Sequence, residues 1–202
     1  MKEKTKVKEM TITSQAIGLL GAHVGGVLLS LIFCFGLAAL MKNAGGLIIA
    51  QILILFVYSF PTYSTMWDYG HRDLNRFNYG HIKRDQLKGF KISLIANIPV
   101  FILSLLFILS KFGLFYNIAI VFKLMNAEVW PLINLIQPWA YMNKFAVWQV
   151  FLVALLPLIP VLIAGGSYIL GNHDFSPMKV IVYKNKKKPT QPKKPPTIKS
   201  QF

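Results

Sequence analysis

Hydrophobic residues fall into four long runs, and the short stretches between them hold most of the charged residues. A helix needs roughly 20 apolar residues to cross the hydrocarbon core of a bilayer, and each run is close to that length. Because only a few residues join the first two runs, we expect an antiparallel hairpin there. The pattern predicts an all-α fold, a four-helix transmembrane bundle with spans over residues 16–41, 47–63, 92–110 and 145–170.

Residues 111–144 are apolar but do not form a clean fifth run. Lys123 and Glu128 interrupt the pattern, and one charged residue at a helix centre costs about 2.5–3.5 kcal/mol on insertion scales. A fifth span would also move the basic C-terminal residues to the side opposite the other basic segments. We therefore expect an irregular outer segment, and interfacial, re-entrant and spanning arrangements all remain open.

Basic residues cluster beside the hydrophobic runs. The chain has 22 Lys and Arg against 7 Asp and Glu, a formal net charge of +15, and a mean hydropathy of +0.51. An excess of Lys and Arg beside membrane spans marks the cytoplasmic side, where anionic lipid headgroups attract basic residues. We therefore attribute the positive charge to the membrane and do not predict nucleic-acid binding. We expect residues 16–178 to form the bundle. The expected cytoplasmic segments are residues 1–15, an interfacial loop helix within 65–91, and a disordered tail over 179–202.

Small residues form a stripe near the start of the first run, and Gly21 and Gly25 within it make a GxxxG pair. Glycine at this spacing lets two helix backbones approach closely. The stripe predicts a helix-packing face, against another helix of the same chain, a second copy or a membrane partner. Its members are Gly18, Gly21, Ala22, Gly25 and Gly26.

Three histidines and three aspartates fall on the side predicted to be cytoplasmic. Imidazole and carboxylate groups can bind zinc or a similar ion. No pair has the spacing of a recognised metal motif such as H-E-x-x-H, so we predict no metal site and favour salt bridges with neighbouring Arg and Lys. The six residues are His71, Asp73, His81, Asp85, His173 and Asp174.

Five basic residues of the 65–91 segment could hold phosphate oxygens of lipid headgroups, arginine bidentately. The ordinary alternative is charge that only fixes the orientation of the chain in the membrane. The five are Arg72, Arg76, Lys83, Arg84 and Lys88.

Few polar side chains lie inside the predicted spans. His23 is the only ionisable one besides Cys34, which we interpret as a buried apolar residue, and Asn97 precedes a proline in the third span. Intramembrane polar groups are functional candidates by default, although a hydrogen bond to a neighbouring helix explains His23 equally.

Sequence motifs of catalysis are missing: the chain has no H-E-x-x-H, G-x-S-x-G or P-loop. We therefore predict no catalytic residue and no cofactor. The leading hypothesis is an accessory or scaffold subunit that binds a membrane partner. The alternative is a transporter or permease subunit for an ion or small solute, and a lipid-modifying enzyme comes third.

Two segments resemble a group of small, mostly uncharacterised four-span membrane proteins of Gram-positive bacteria. In the loop, an aromatic-Gly-x-x-Asp-x-Asn motif and a basic Lys-Gly stretch lead into a helix with an early proline. The ending GSYILGNHDFSPMKVIVYKNKKK is also similar: in that group a Gly-Tyr-x-x-Gly stretch precedes a short polar loop and a Lys-rich end. The resemblance implies an integral protein of the bacterial plasma membrane and implies no activity. The loop positions that carry it are Tyr69, Gly70, Asp73, Asn75, Lys88, Gly89 and Pro99.

Overall fold

The computed structural model describes residues 11–114, 116–139 and 141–175, and this part of the chain is helical with no strand. The N-terminal residues 1–10 and the predicted tail over 179–202 lie outside the described residues. The α-helices are α1 (Ile12–Gly36), α2 (Ala44–Asn78), α3 (Lys88–Ala96), α4 (Ile98–Lys111), α5 (Ala119–Met125), α6 (Trp130–Ile136), α7 (Val147–Leu155) and α8 (Leu158–Asn172).

The outward surfaces of the helices carry large apolar side chains. Ile32 on α1 is 66% exposed, and Phe56 and Phe60 on α2 are each 76% exposed. A soluble monomer rarely leaves apolar surface of this extent in contact with water. The long apolar helices are therefore compatible with an integral membrane protein.

Three helices are long and apolar enough to cross a bilayer: α1, α2, and the continuous stretch Val147–Asn172 that contains α7 and α8. Two further pairs pass the same test together but are bent, α3 with α4 by 55° and α5 with the helical residues through α6 by 92°. The described residues thus hold three to five candidate spans. The predicted number, four, lies inside this range and is not confirmed by it.

The second helix is longer than the span predicted at residues 47–63. Asn43 begins it by accepting a hydrogen bond from the Gly46 amide at 2.7 Å, and Pro61 lies within it. It ends at Asn78, where Gly80 with φ +73° and the His81 amide bonded to the Arg76 carbonyl close the last turn. The first half of the predicted interfacial loop is therefore part of α2. Residues 79–87 form turns, so His81 and Asp85 do not share a helix face.

Apolar cores lie toward both ends of the bundle. One core joins α1, α2, α3 and α8 through side chains such as Leu19, Met66, Ile92 and Tyr168. The other joins α4, α5, α6 and α7, with Phe107 stacked on Phe122 at 4.4 Å between ring centroids. We call the end where α2 ends, α3 begins and α8 ends the basic end. The irregular segment 111–144 packs into the opposite part of the bundle through α5 and α6.

Candidate functional site

A glutamate lies buried in the bend between α5 and α6. The Glu128 side chain is 0% exposed, and neither carboxyl oxygen has a hydrogen-bond partner among the described residues. Burying an isolated ionised carboxylate costs several kcal/mol or more, so the group favours a bound proton or cation. Sequence reasoning used Glu128 only as a mark of irregular structure, and did not select it as a site.

Side chains from α1 and α2 hold the backbone of this bend. Gln51 donates from Nε2 to the Glu128 carbonyl at 2.7 Å and accepts from the Leu132 amide at 3.1 Å. The Cys34 thiol lies 3.5 Å from the Ala127 carbonyl and donates to it. These contacts satisfy backbone groups that the bend takes out of helical hydrogen bonding. Gln51, a polar residue in an apolar run, was the signal in the sequence that could have revealed them.

A tyrosine–histidine pair stands beside the bend. The Tyr58 hydroxyl on α2 lies 2.7 Å from His23 Nδ1 on α1, and the two rings meet edge to face. The Glu128 carboxyl is within electrostatic reach of the Tyr58 hydroxyl and of Cys34. We call His23, Tyr58, Glu128 and Gln51 the buried polar centre. His23 lies about three turns from the start of α1, near the middle of that helix.

Asn97, the other predicted intramembrane polar residue, marks the break between α3 and α4. It is 2% exposed, its Nδ2 donates to the Ser93 carbonyl at 2.9 Å, and its Oδ1 has no partner among the described residues. Asn126 occupies the corresponding position at the second bend, where Nδ2 donates to the Phe122 carbonyl. Both breaks therefore carry a buried amide.

The small residues of α1 lie on two faces of the helix, one packed against α2 and one turned away from it. A Cβ on Gly18 would overlap the Tyr69 hydroxyl, and one on Gly26 would lie 2.8 Å from Tyr58 Cδ2. Gly26 thus gives the Tyr58 ring its room beside α1. By contrast, a Cβ on Gly21 or Gly25 would meet nothing within 4 Å. The GxxxG pair consequently faces away from the described part of the chain.

At the basic end, a buried ion pair joins three helices. Asp73 on α2 is 2% exposed, and its Oδ2 accepts from Lys88 Nζ on α3 and from the Tyr168 hydroxyl on α8, both at 2.7 Å. Arg76 lies 3.9 Å from Asp73 Oδ1. Because α2, α3 and α8 also share an apolar core, the ion pair fixes the three helices at one point beside it.

Glycines let the same three helices approach closely. A Cβ on Gly70 would overlap the Tyr168 carbonyl, one on Gly89 the Tyr168 side chain, and one on Gly171 the Trp67 carbonyl. Gly70 and Gly89 belong to the first resembling segment, and Tyr168 and Gly171 to the second. The structure thus brings the two segments into one packed junction.

The predicted histidine–aspartate cluster does not assemble into one site. His71 Nδ1 lies 3.3 Å from Asp174 Oδ1, Asp73 is engaged by Lys88, and Asp85 Oδ2 accepts from Lys91 at 2.8 Å. The described residues contain no group of three or more His, Cys, Asp and Glu side chains that could hold a metal ion. The hydrogen bond from Lys91, strengthened by that from the Leu87 amide, holds the pKa of Asp85 below its usual range.

Four of the five predicted headgroup residues have partners within the protein. Arg72 pairs with Asp68 at 2.6 Å, Arg76 and Lys88 face Asp73, and Arg84 binds Asn172. A cavity of about 140 Å³ opens beside Asp73, Lys88, Arg84 and Asn172. Its lining comprises Asp73, Ile82, Lys83, Arg84, Asp85, Lys88, Tyr168 and Asn172.

Comparison with protein-family models, curated proteins and solved structures finds no match. The resemblance of the two segments to small membrane proteins of Gram-positive bacteria therefore stays a prediction.

Proposed function

We propose that this chain is an integral membrane protein that carries protons across the bilayer and that Glu128 binds the transported proton. The observation that carries the proposal is the Glu128 carboxyl, which is fully buried with both oxygens unpartnered among the described residues. Ionisable groups inside a membrane are energetically costly, and they mark proton relays and ion pathways. This proposal takes up the transporter hypothesis in preference to the accessory one.

The neighbours of Glu128 favour a proton over a metal cation. Tyr58 and His23 form a hydrogen-bonded pair, and a hydroxyl and an imidazole can both take up and release protons. Metal ions are instead held by several His, Cys, Asp or Glu side chains together, and Glu128 has no such set around it among the described residues. In this proposal the pair passes the proton between Glu128 and the α1 side of the bundle.

Broken helices support a transport function as well. Discontinuous helices line the ion sites of many transporters because the helix breaks place polar backbone at mid-membrane depth. The α3–α4 and α5–α6 pairs are bent by 55° and 92°, and each break carries a buried asparagine, Asn97 or Asn126. In this proposal the basic end faces the cytoplasm of a bacterium, as the predicted orientation requires.

Proton flux into liposomes that contain the purified chain tests the proposal. A pH gradient is imposed while a potassium ionophore clamps the voltage, and an entrapped dye reports the internal pH. Glu128→Gln keeps the shape of the side chain and removes the group that can bind and release a proton. We expect flux with the unchanged chain, and flux at the level of protein-free liposomes with Glu128→Gln.

Asp68→Asn provides the matched control, since Asp68 is a half-exposed carboxylate paired with Arg72 at the basic end. It should leave flux unchanged. Equal flux through the Glu128→Gln variant and the unchanged chain would overturn the proposal.

A second candidate function, the binding of a membrane partner, has one observation in its favour. Gly21 and Gly25 present a small-residue face that no described residue covers, and such faces suit close helix contacts. The same preparation distinguishes the two functions. A chain that carries no flux and purifies with a stoichiometric protein partner would favour the accessory subunit over the proton carrier.

A further inference from the structure

We propose that the cavity at the basic end binds a phosphate group, supplied by an anionic lipid headgroup or by free phosphate, with Lys83 and Arg84 as its binding residues. The proposal does not depend on proton transport, because the cavity is formed by other residues than the buried polar centre. Of the five basic residues predicted to bind headgroups, it selects the two whose positive charge is not paired with a carboxylate of the described residues.

The charges around the cavity do not cancel. Its two carboxylates are already occupied: Asp73 by Lys88 and Tyr168, and Asp85 by Lys91 and the Leu87 amide. Lys83 makes no hydrogen bond or ion pair with any residue in the described ranges. The positive charges of Lys83 and Arg84 can therefore attract an anion.

Arg84 is held in place by Asn172 and His173. Nε donates to the Asn172 side-chain oxygen at 2.8 Å, and Nη2 donates to the Asn172 carbonyl at 3.1 Å. The His173 ring nitrogens lie 3.1 and 3.2 Å from the same Nη2. All these contacts use Nε and Nη2, so within the described part of the chain Nη1 remains available for a phosphate oxygen. A guanidinium that is fixed before binding loses less entropy when it binds an oxyanion.

The size and position of the cavity fit this ligand. A volume of about 140 Å³ exceeds many times what one water needs, so a tetrahedral phosphate can enter. The cavity opens near the ends of α2 and α8. Trp67 on α2 does not line it but belongs to the same end of the bundle, where its indole Nε1 donates to the Phe175 carbonyl, just beyond α8, at 2.8 Å. Tryptophan is enriched at the level of lipid headgroups. An anionic lipid therefore has access to Lys83 and Arg84 from the membrane surface.

Thermal unfolding of the detergent-solubilised full chain tests the site, since a ligand of the folded state raises the unfolding midpoint. One arm titrates inorganic phosphate against chloride at constant ionic strength. The other arm titrates phosphatidylglycerol against diacylglycerol with the same acyl chains. A rise with phosphatidylglycerol only identifies the lipid headgroup as the source, and a rise with inorganic phosphate as well identifies the free anion.

Lys83→Gln is the informative variant, because Lys83 is exposed and supports no contact that folding needs. Lys42→Gln is the matched control: it makes the same charge change before α2 begins, at the other end of the bundle. We expect Lys83→Gln to need about fivefold more ligand for half of the shift, the factor that corresponds to the ~1 kcal/mol contributed by one lysine at an anionic surface. Lys42→Gln should match the unchanged chain. Absence of any shift beyond the chloride and diacylglycerol controls, or equal responses from both variants and the unchanged chain, would overturn the proposal.

Discussion

At the residue scale, two adjacent glycines of α1 have opposite surroundings. Gly26 lies against the Tyr58 ring, and its absent side chain lets the Tyr58 hydroxyl reach His23. Gly25 faces no other side chain or helix in the described part of the chain. The sequence placed both in a single packing stripe, because spacing identifies small residues but does not say which way each one points.

Alanine substitutions at Gly25 and Gly26 test whether the two glycines have different surroundings. Gly26→Ala should lower the free energy of unfolding by about 1–3 kcal/mol, because the new methyl group must displace an aromatic ring in a packed core. Gly25→Ala should be neutral or stabilising by roughly 0.5–1 kcal/mol, because alanine is the better helix former. Unfolding in mixed detergent micelles measures both variants, and equal losses of stability would contradict the assigned contacts.

At the element scale, α2, α3 and α8 meet at the Asp73–Lys88–Tyr168 contact. The three helices carry polar side chains where they meet, and without partners these side chains would hold the helices apart. The Asp73 carboxylate accepts hydrogen bonds from two of them, Lys88 and Tyr168. The nearby Asp85–Lys91 pair is of a different kind, since its side chains are 43% and 56% exposed. Burial, more than the number of charges, decides how much stability is lost when one partner of a pair is removed.

Asparagine substitutions at the two aspartates test this difference. Asp73→Asn should destabilise the fold by about 3 kcal/mol, because it leaves the Lys88 ammonium buried without a counter-ion. Asp85→Asn should cost at most ~1 kcal/mol, the usual value for an exposed pair. Replacing Lys88 by Met in the Asp73→Asn background should recover part of the loss. Unfolding curves of the three variants measure these effects, and a larger loss from Asp85→Asn than from Asp73→Asn would refute the account.

The periodicity of apolar residues predicted the all-helical class but could not predict several element boundaries. Helix α2 continues past Tyr63 to Asn78 because Pro61 and Gly70 are accommodated within the helix, and the first glycine after Tyr63 with a positive φ is Gly80. The buried polar centre was equally hard to foresee. Glu128 lies between short helices at a 92° bend, and a bend of this kind depends on tertiary contacts such as those of Gln51.

At the scale of the whole molecule, the proton-transport proposal needs Glu128 to exchange with water on both sides of a bilayer. The two bent helix pairs are the elements that could alter this access, since each break is held by a few side-chain contacts and not by a continuous helix. The buried polar centre lies between α1 and α2, the two long helices of the hairpin. Our proposal requires the broken helices to move against this hairpin so that Glu128 is exposed to one side at a time.

Infrared spectroscopy of the membrane-reconstituted chain during a pH titration tests most directly whether Glu128 gains and loses a proton. The carbonyl stretch of a protonated carboxylic acid is distinct from the carboxylate bands. We predict such a band in the unchanged chain, its decline as the pH is raised, and its absence from Glu128→Gln at every pH. Spectra that are identical for the two chains, or a Glu128 band that does not change with pH, would contradict the account.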